Sequence, residues 1–283
     1  MFLNLSDFIT YPFLTTALIG VIGLSLVCAL LSPLVIARRQ AFMGAALSHA
    51  TLVGLALGLS LFAGVQGISV FVTTLLVTLL LSMILAESTY KNPLPRDSLI
   101  GLFFTTCMGL GMIIHQLGAA KNIDLMGYLF GNIYLLSTQD LVILAIALVI
   151  VALGILIPLK KWIYLSFSER AANISGLNVR LSHYLFLGLL TLAIVAGLKL
   201  AGTVLINTLI IVPGMIALRL AKNTTQVFVI STAFSLSTSL ISLVLSNTLN
   251  VSLGPMLCMV QFLALVALMT PAALRTARRS STV

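Results

Sequence analysis

The chain alternates apolar runs of membrane-spanning length with short loops that collect its basic residues, and no other feature restricts its possible folds as much. A bilayer core of about 30 Å calls for about 20 apolar residues per helix. Nine runs qualify: 13–37, 41–62, 67–86, 98–118, 139–159, 182–198, 200–219, 225–247 and 253–274. The seventh begins almost where the sixth ends, at Lys199, so eight spans is the alternative count. Only 7% of the residues are charged, against about 25% in a soluble domain. With a mean hydropathy of +1.20, the exterior has too few charges for water to wet it and must face lipid. The expectation is an all-α polytopic membrane protein, with residues 1–283 forming one transmembrane domain.

Orientation follows from the loops, because Lys and Arg accumulate on the cytoplasmic side. With the N-terminus outside, the inner loops hold Arg38, Arg39, Lys91, Arg96, Lys160, Lys161, Arg170, Arg180, Arg219, Lys222, Arg275, Arg278 and Arg279. Only Lys121 and Lys199 remain outside. Nine spans then put the C-terminus inside. Spread between apolar runs in this way, the net charge of +9 is an orientation signal rather than a nucleic-acid surface. The first residues, MFLNLSDFITYPF, have no basic stretch and no small-residue cleavage site. They do not read as a cleaved signal peptide, and the first helix is expected to act as its own uncleaved insertion signal.

Two loops are long. The outer segment 119–138 is amphipathic and bears aromatics, which suits either an interfacial helix or a packed re-entrant loop. The inner segment 160–181 is the most polar; Ser168 ahead of Glu169, Arg170, Ala171 and Ala172 reads as a capped short helix that ends at Gly176. A solvated connector or a docking surface would both fit it. Span 41–62 is dense in Gly, Ala and Ser, which lets membrane helices approach closely, so it belongs inside the bundle or at a subunit contact.

Ionisable groups within spans are costly and usually functional. His49 lies about ten residues past Arg39, near mid-membrane at 1.5 Å per residue. A neutral imidazole there either bonds a neighbouring helix or serves as a metal ligand. His115 shares a helix face with Met108 and Met112, with Cys107 nearby, a pattern open to packing or to a soft-metal path. Lys199 is expected to snorkel. Pro213 frees a backbone carbonyl that Asn207 or another helix could satisfy. Cys28, Cys107 and Cys258 show no metal spacing and read as packing residues. There is no GxxxxGK[ST] loop, no HExxH, no candidate catalytic residue and no helix rich in acids. The chain carries no evident energy source of its own.

Four stretches then carry a resemblance: Arg38-Arg39-Gln40-Ala41-Phe42-Met43-Gly44-Ala45-Ala46-Leu47-Ser48-His49-Ala50; Asp97-Ser98-Leu99-Ile100-Gly101; Asp124-Leu125-Met126-Gly127-Tyr128-Leu129-Phe130-Gly131-Asn132-Ile133; and Leu198 to Leu205 through Ile211-Val212-Pro213. Together, and in this order, they resemble the permease subunits of the ABC-3 family, the bacterial importers of manganese, zinc and iron. The resemblance implies a homodimeric or paired-permease pore in the cytoplasmic membrane, with a divalent metal ion as cargo and no cofactor of its own. It also implies a separate cytoplasmic ABC ATPase and an external metal-binding protein. Glu169, Arg170, Ala171 and Gly176 would belong to the helix received by the ATPase, and His49 would match the mid-membrane metal gate. One departure is that Ala45 stands where the family has an acid four residues before that histidine. The gate here would then use His49 alone, or with Ser48, Met43 or groups of a second protomer, and would hold hard Mn²⁺ less well than softer ions. The competing readings are an ion-coupled secondary carrier and an ABC permease for a chelated metal or cofactor.

Overall fold

The computed structural model describes residues 12–62, 67–91, 95–118, 127, 131, 136–249 and 251–280. Among the described residues ten helices run in chain order: α1 Pro12–Ala37, α2 Ala41–Leu61, α3 Ile68–Lys91, α4 Arg96–Leu117, α5 Thr138–Leu156, α6 Leu159–Phe167, α7 Glu169–Ile174, α8 Val179–Leu220, α9 Thr224–Leu249 and α10 Leu253–Ser280. No strand occurs among the described residues. The outer segment expected over 119–138 lies almost wholly outside them.

Seven of these helices, rather than nine, are long and apolar enough to cross a bilayer. One of the seven helices accounts for two of the nine expected spans. The sixth and seventh expected spans belong to the single 42-residue element α8, interrupted only at Gly202, whose φ of 71° and ψ of 168° are not helical. The last expected run forms α10, a 28-residue helix whose described apolar stretch is Leu253–Leu268.

α8 doubles back at Gly202. Near its start, His183 Nδ1 lies 3.4 Å from Gln40 Nε2, at the basic end of the bundle. Lys199 Nζ reaches Asp140 at the opposite end, at 2.7 Å. Beyond the break, Gly214 N–H donates to Ser32 Oγ at 2.6 Å, back toward the basic end. A Cβ on Gly197 would lie 3.2 Å from Ile206, whereas nine residues of straight helix would separate the two by about 13 Å. At 42 residues and 1.5 Å each, α8 has the length of two crossings.

The basic loops gather at one end of the bundle. The Arg38 guanidinium lies 4.7 Å above the Phe186 ring and 5.8 Å from the Trp162 ring. Arg180 Nη2 donates to both carboxylate oxygens of Glu87, at 2.8 and 2.9 Å, and the Tyr184 hydroxyl donates to the same carboxylate. These contacts tie α1, α3, α6 and α8 together where the positive-inside argument puts the cytoplasm. Lys199, expected to snorkel, is instead ion-paired to the first turn of α5.

Close packing inside the bundle uses small and hydroxylated residues, since the hydrophobic effect supplies little drive between helices already in lipid. Ser231, Ser235 and Ser239 line one face of α9: Ser231 donates to the Ala29 carbonyl, Ser235 to the Ser25 carbonyl, and Ser25 Oγ to Ser239 Oγ at 2.8 Å. α2 is buried along most of its length, as its composition suggested, and it packs between α3, α4 and α8. A Cβ on Gly54 would lie 2.7 Å from the Thr74 carbonyl oxygen and 2.9 Å from Thr74 Cα. Backbone cannot swing aside as a side chain can, so Gly54→Ala is expected to cost about 1–3 kcal/mol by overpacking. Thermal unfolding in lipid nanodiscs would report this as a lowered midpoint. Gly188→Ala, where the added methyl meets nothing within 4 Å, should melt like the parent protein.

Candidate functional site

His49 lies eight residues into α2, about 12 Å along a helix of about 30 Å. Its half-buried imidazole meets the Phe104 ring of α4 edge-on, with centroids 4.2 Å apart. The Nδ1 atom is buried and has no hydrogen-bond partner among the described residues. An imidazole held by an aromatic edge, with its Nδ1 uncommitted among the described residues, is chemically able to take a cation or a water. One turn back on the same face, Ala45 is half-buried and offers no donor.

Ser48 and Met43, the auxiliary candidates, are engaged elsewhere. Ser48 Oγ lies 2.8 Å from the Gly44 carbonyl oxygen and 2.9 Å from the Asn207 side-chain amide. A hydroxyl has one proton. It donates to the carbonyl, and the Asn207 NH₂ serves as donor once the amide is turned, an assignment set by the network. Met43 is 2% exposed and packed in the main core, about 120° around the helix from His49. The structure therefore brings Ser48 to Asn207 on α8 rather than to His49. Asn207, expected as one candidate to satisfy the carbonyl freed by Pro213, is used in this contact. Near Pro213 it is instead the Gly214 N–H that leaves the helix ladder for Ser32 of α1. Asp97 lies exposed in the first turn of α4, where a carboxylate suits the helix dipole.

Among the described residues no three His, Cys, Asp or Glu side chains gather into a metal site. One chain thus offers His49 as an open ligand and no closed coordination shell. That suits an ion in passage better than a resident ion, because structural sites supply four protein ligands.

At the basic end, α6 and α7 form the segment expected to dock a partner. Trp162 and Leu165 anchor α6 in the core, and the indole N–H donates to the Gly154 carbonyl at 2.9 Å. Ser168 caps α7 by accepting from the Ala171 N–H at 3.2 Å. Gly176, at φ +78°, ends the segment; the next N–H, that of Leu177, returns to the Ala172 carbonyl at 3.1 Å, closing a glycine C-cap. Ala172 is fully buried, while Phe167 and Ile174 are 87% and 89% exposed. Two large apolar side chains on a short, doubly capped helix pair suit contact with another protein.

The sequence reading missed His183, which is 7% exposed and faces Gln40, and the Glu87–Arg180–Tyr184 cluster. Their partners lie 93 to 143 residues apart in sequence, beyond the reach of any local pattern. Two stretches that carried the resemblance meet in space. Gly131, at φ +70°, is so close to the reversal of α8 that a Cβ on it would lie 2.5 Å from both Ala201 C and Gly202 N.

Comparison with known proteins agrees with this arrangement. A chain from the structure "PsaBC from Streptococcus pneumoniae in complex with Fab" superposes with a TM-score of 0.81 at 28% identity, covering 94% of this chain and 95% of that one. The "Manganese import system permease protein ScaB" of Streptococcus gordonii is 32% identical over 244 residues, 86% of each chain. The "High-affinity zinc uptake system membrane protein ZnuB" of Haemophilus influenzae is 27% identical over 245 residues, 87% of this chain and 92% of the other. Residues 10–271 match the model of the ABC 3 transport family, and the chain belongs to that family.

Proposed function

We propose that this chain is the membrane-spanning permease subunit of an ATP-binding-cassette importer for a divalent metal ion, manganese, zinc or iron, in a bacterial cytoplasmic membrane. The observation that carries the reading is His49: a half-buried imidazole at mid-membrane depth whose Nδ1 has no protein partner among the described residues. The names of the relatives, a manganese permease and a zinc uptake membrane protein, support the cargo class. A separate cytoplasmic ATPase supplies the energy by docking on α6–α7 through Phe167 and Ile174. An external metal-binding protein delivers the ion, and a second permease copy completes the pore. With Ala45 in place of an acid, the path lacks a hard anionic ligand, and hard Mn²⁺ is disfavoured relative to Zn²⁺ or Fe²⁺.

The test is metal uptake into vesicles that contain this chain, its ATPase and its binding protein. Uptake should require ATP and all three components, and unlabelled Zn²⁺ should compete better than Mn²⁺. Uptake by the permease alone under an ion gradient would make it a secondary carrier and overturn the reading.

A further inference from the structure

α4 carries a second set of donors that the His49 gate does not use. At about 100° per residue, Phe104, Met108, Met112 and His115 fall within an arc of about 80° on one side of the helix. Ile100, Cys107 and Gly111 form the adjoining arc and are buried; a Cβ on Gly111 would meet Leu52 and Val53 of α2 at 3.3 Å. The stripe therefore runs along the edge of the α2–α4 contact. Its inner end is Phe104, the ring that His49 touches at 4.2 Å. Its outer end is His115, eleven residues or about 16 Å further out.

Met108 and Met112 are only partly covered, at 39% and 38% exposure. His115 is half-buried, and its Nδ1 is buried with no hydrogen-bond partner among the described residues. Ser60 Oγ, where α2 meets the outer end of α4 beside Gly118, is likewise buried and unpartnered. Two imidazoles, each with an Nδ1 unpartnered among the described residues, thus stand at the ends of one stripe, with two thioethers between them. An imidazole is costly to leave unsatisfied in a membrane, and thioethers select soft or borderline ions over hard ones.

We propose that His115 with Met108 and Met112 forms an outer station for a soft or borderline cation of the Zn²⁺ class, from which the ion passes to His49. This rests on the permease reading above and makes its cargo specific. All donors in the station are neutral, so it discriminates by softness where an acid would discriminate by charge.

Cd²⁺, a soft analogue of Zn²⁺, is the probe. Its equilibrium binding to the full chain in lipid nanodiscs would be measured with X-ray absorption at the cadmium edge for the parent protein, His49→Ala, His115→Ala and the double variant Met108→Leu/Met112→Leu. His115→Gln serves if the alanine variant does not elute as a single folded species. The parent is expected to bind at two sites per chain, and each histidine variant to lose one. In the His49→Ala background, the methionine double variant should remove sulfur from the cadmium shell. Parent-like binding by both His115 variants, with a site lost in His49→Ala, would overturn the outer station and leave the permease reading intact. A site lost on changing His115 with none lost in His49→Ala would remove His49 from the path and keep the station. A sulfur shell unchanged by the double variant would exclude the methionines and with them the proposal.

Discussion

Gly202→Ala is expected to leave little assembled protein in the membrane, and what remains should unfold well below the parent. The backbone at Gly202, φ 71° and ψ 168°, lies in a region that essentially only glycine occupies, and holding a side chain there costs about 1–3 kcal/mol. The cost falls on the one residue that turns α8 back on itself. Opposite it, the Cα of Gly131 rests on the Ala201–Gly202 peptide with no room for a methyl group, so Gly131→Ala should act in the same direction. Membrane yield and thermal unfolding in nanodiscs measure both. A Gly202→Ala protein that accumulates and melts like the parent would show that the reversal tolerates a side chain.

His49→Ala should separate transport from stability. The side chain makes no hydrogen bond from Nδ1 and loses chiefly its edge contact with Phe104, worth about 0.5–1.5 kcal/mol beyond area burial. The fold should survive, while ATP-driven uptake of metal falls to background in the three-component vesicles. Uptake at the parent rate would take His49 off the path. Ala45→Asp, in the same assay, would restore a carboxylate one turn from the imidazole and should raise Mn²⁺ uptake relative to Zn²⁺.

The sequence was informative where the physics is local or periodic. Apolar run length marked the membrane helices, and the Lys and Arg residues marked the end of the bundle where Arg38, Glu87–Arg180 and Trp162 gather. The Ser168 cap and the Gly176 stop of α7 were legible because each acts within a few residues. The two expected spans within α8 were divided at Lys199 rather than at Gly202, since one glycine within an apolar run reverses the chain with no polar loop to announce it. α6 was hidden as well: the break at Pro158 separates Leu159–Phe167 from α5, and Trp162 then turns inward where a solvated connector had been an option. At the candidate site, the depth of His49 followed from residue counting alone. The engagement of Ser48 with Asn207, 159 residues away, depends on how α2 and α8 pack, and no spacing encodes it.

Trp162 is the only tryptophan in the chain. It is 4% exposed, its indole N–H is held by the Gly154 carbonyl, and it lies beside both Arg38 and Phe186, whose ring centroid is 5.7 Å away. Intrinsic fluorescence at the red edge of protein absorption therefore comes from a single fluorophore, located where the α6–α7 segment meets the turn that leads into α2. Its emission belongs to a dry, apolar setting with a cation beside the ring. Any motion that withdraws α6 from Arg38 changes both the polarity and the local field that set its wavelength, so the protein carries an unlabelled optical gauge at the junction between the α6–α7 segment and the helix that bears His49.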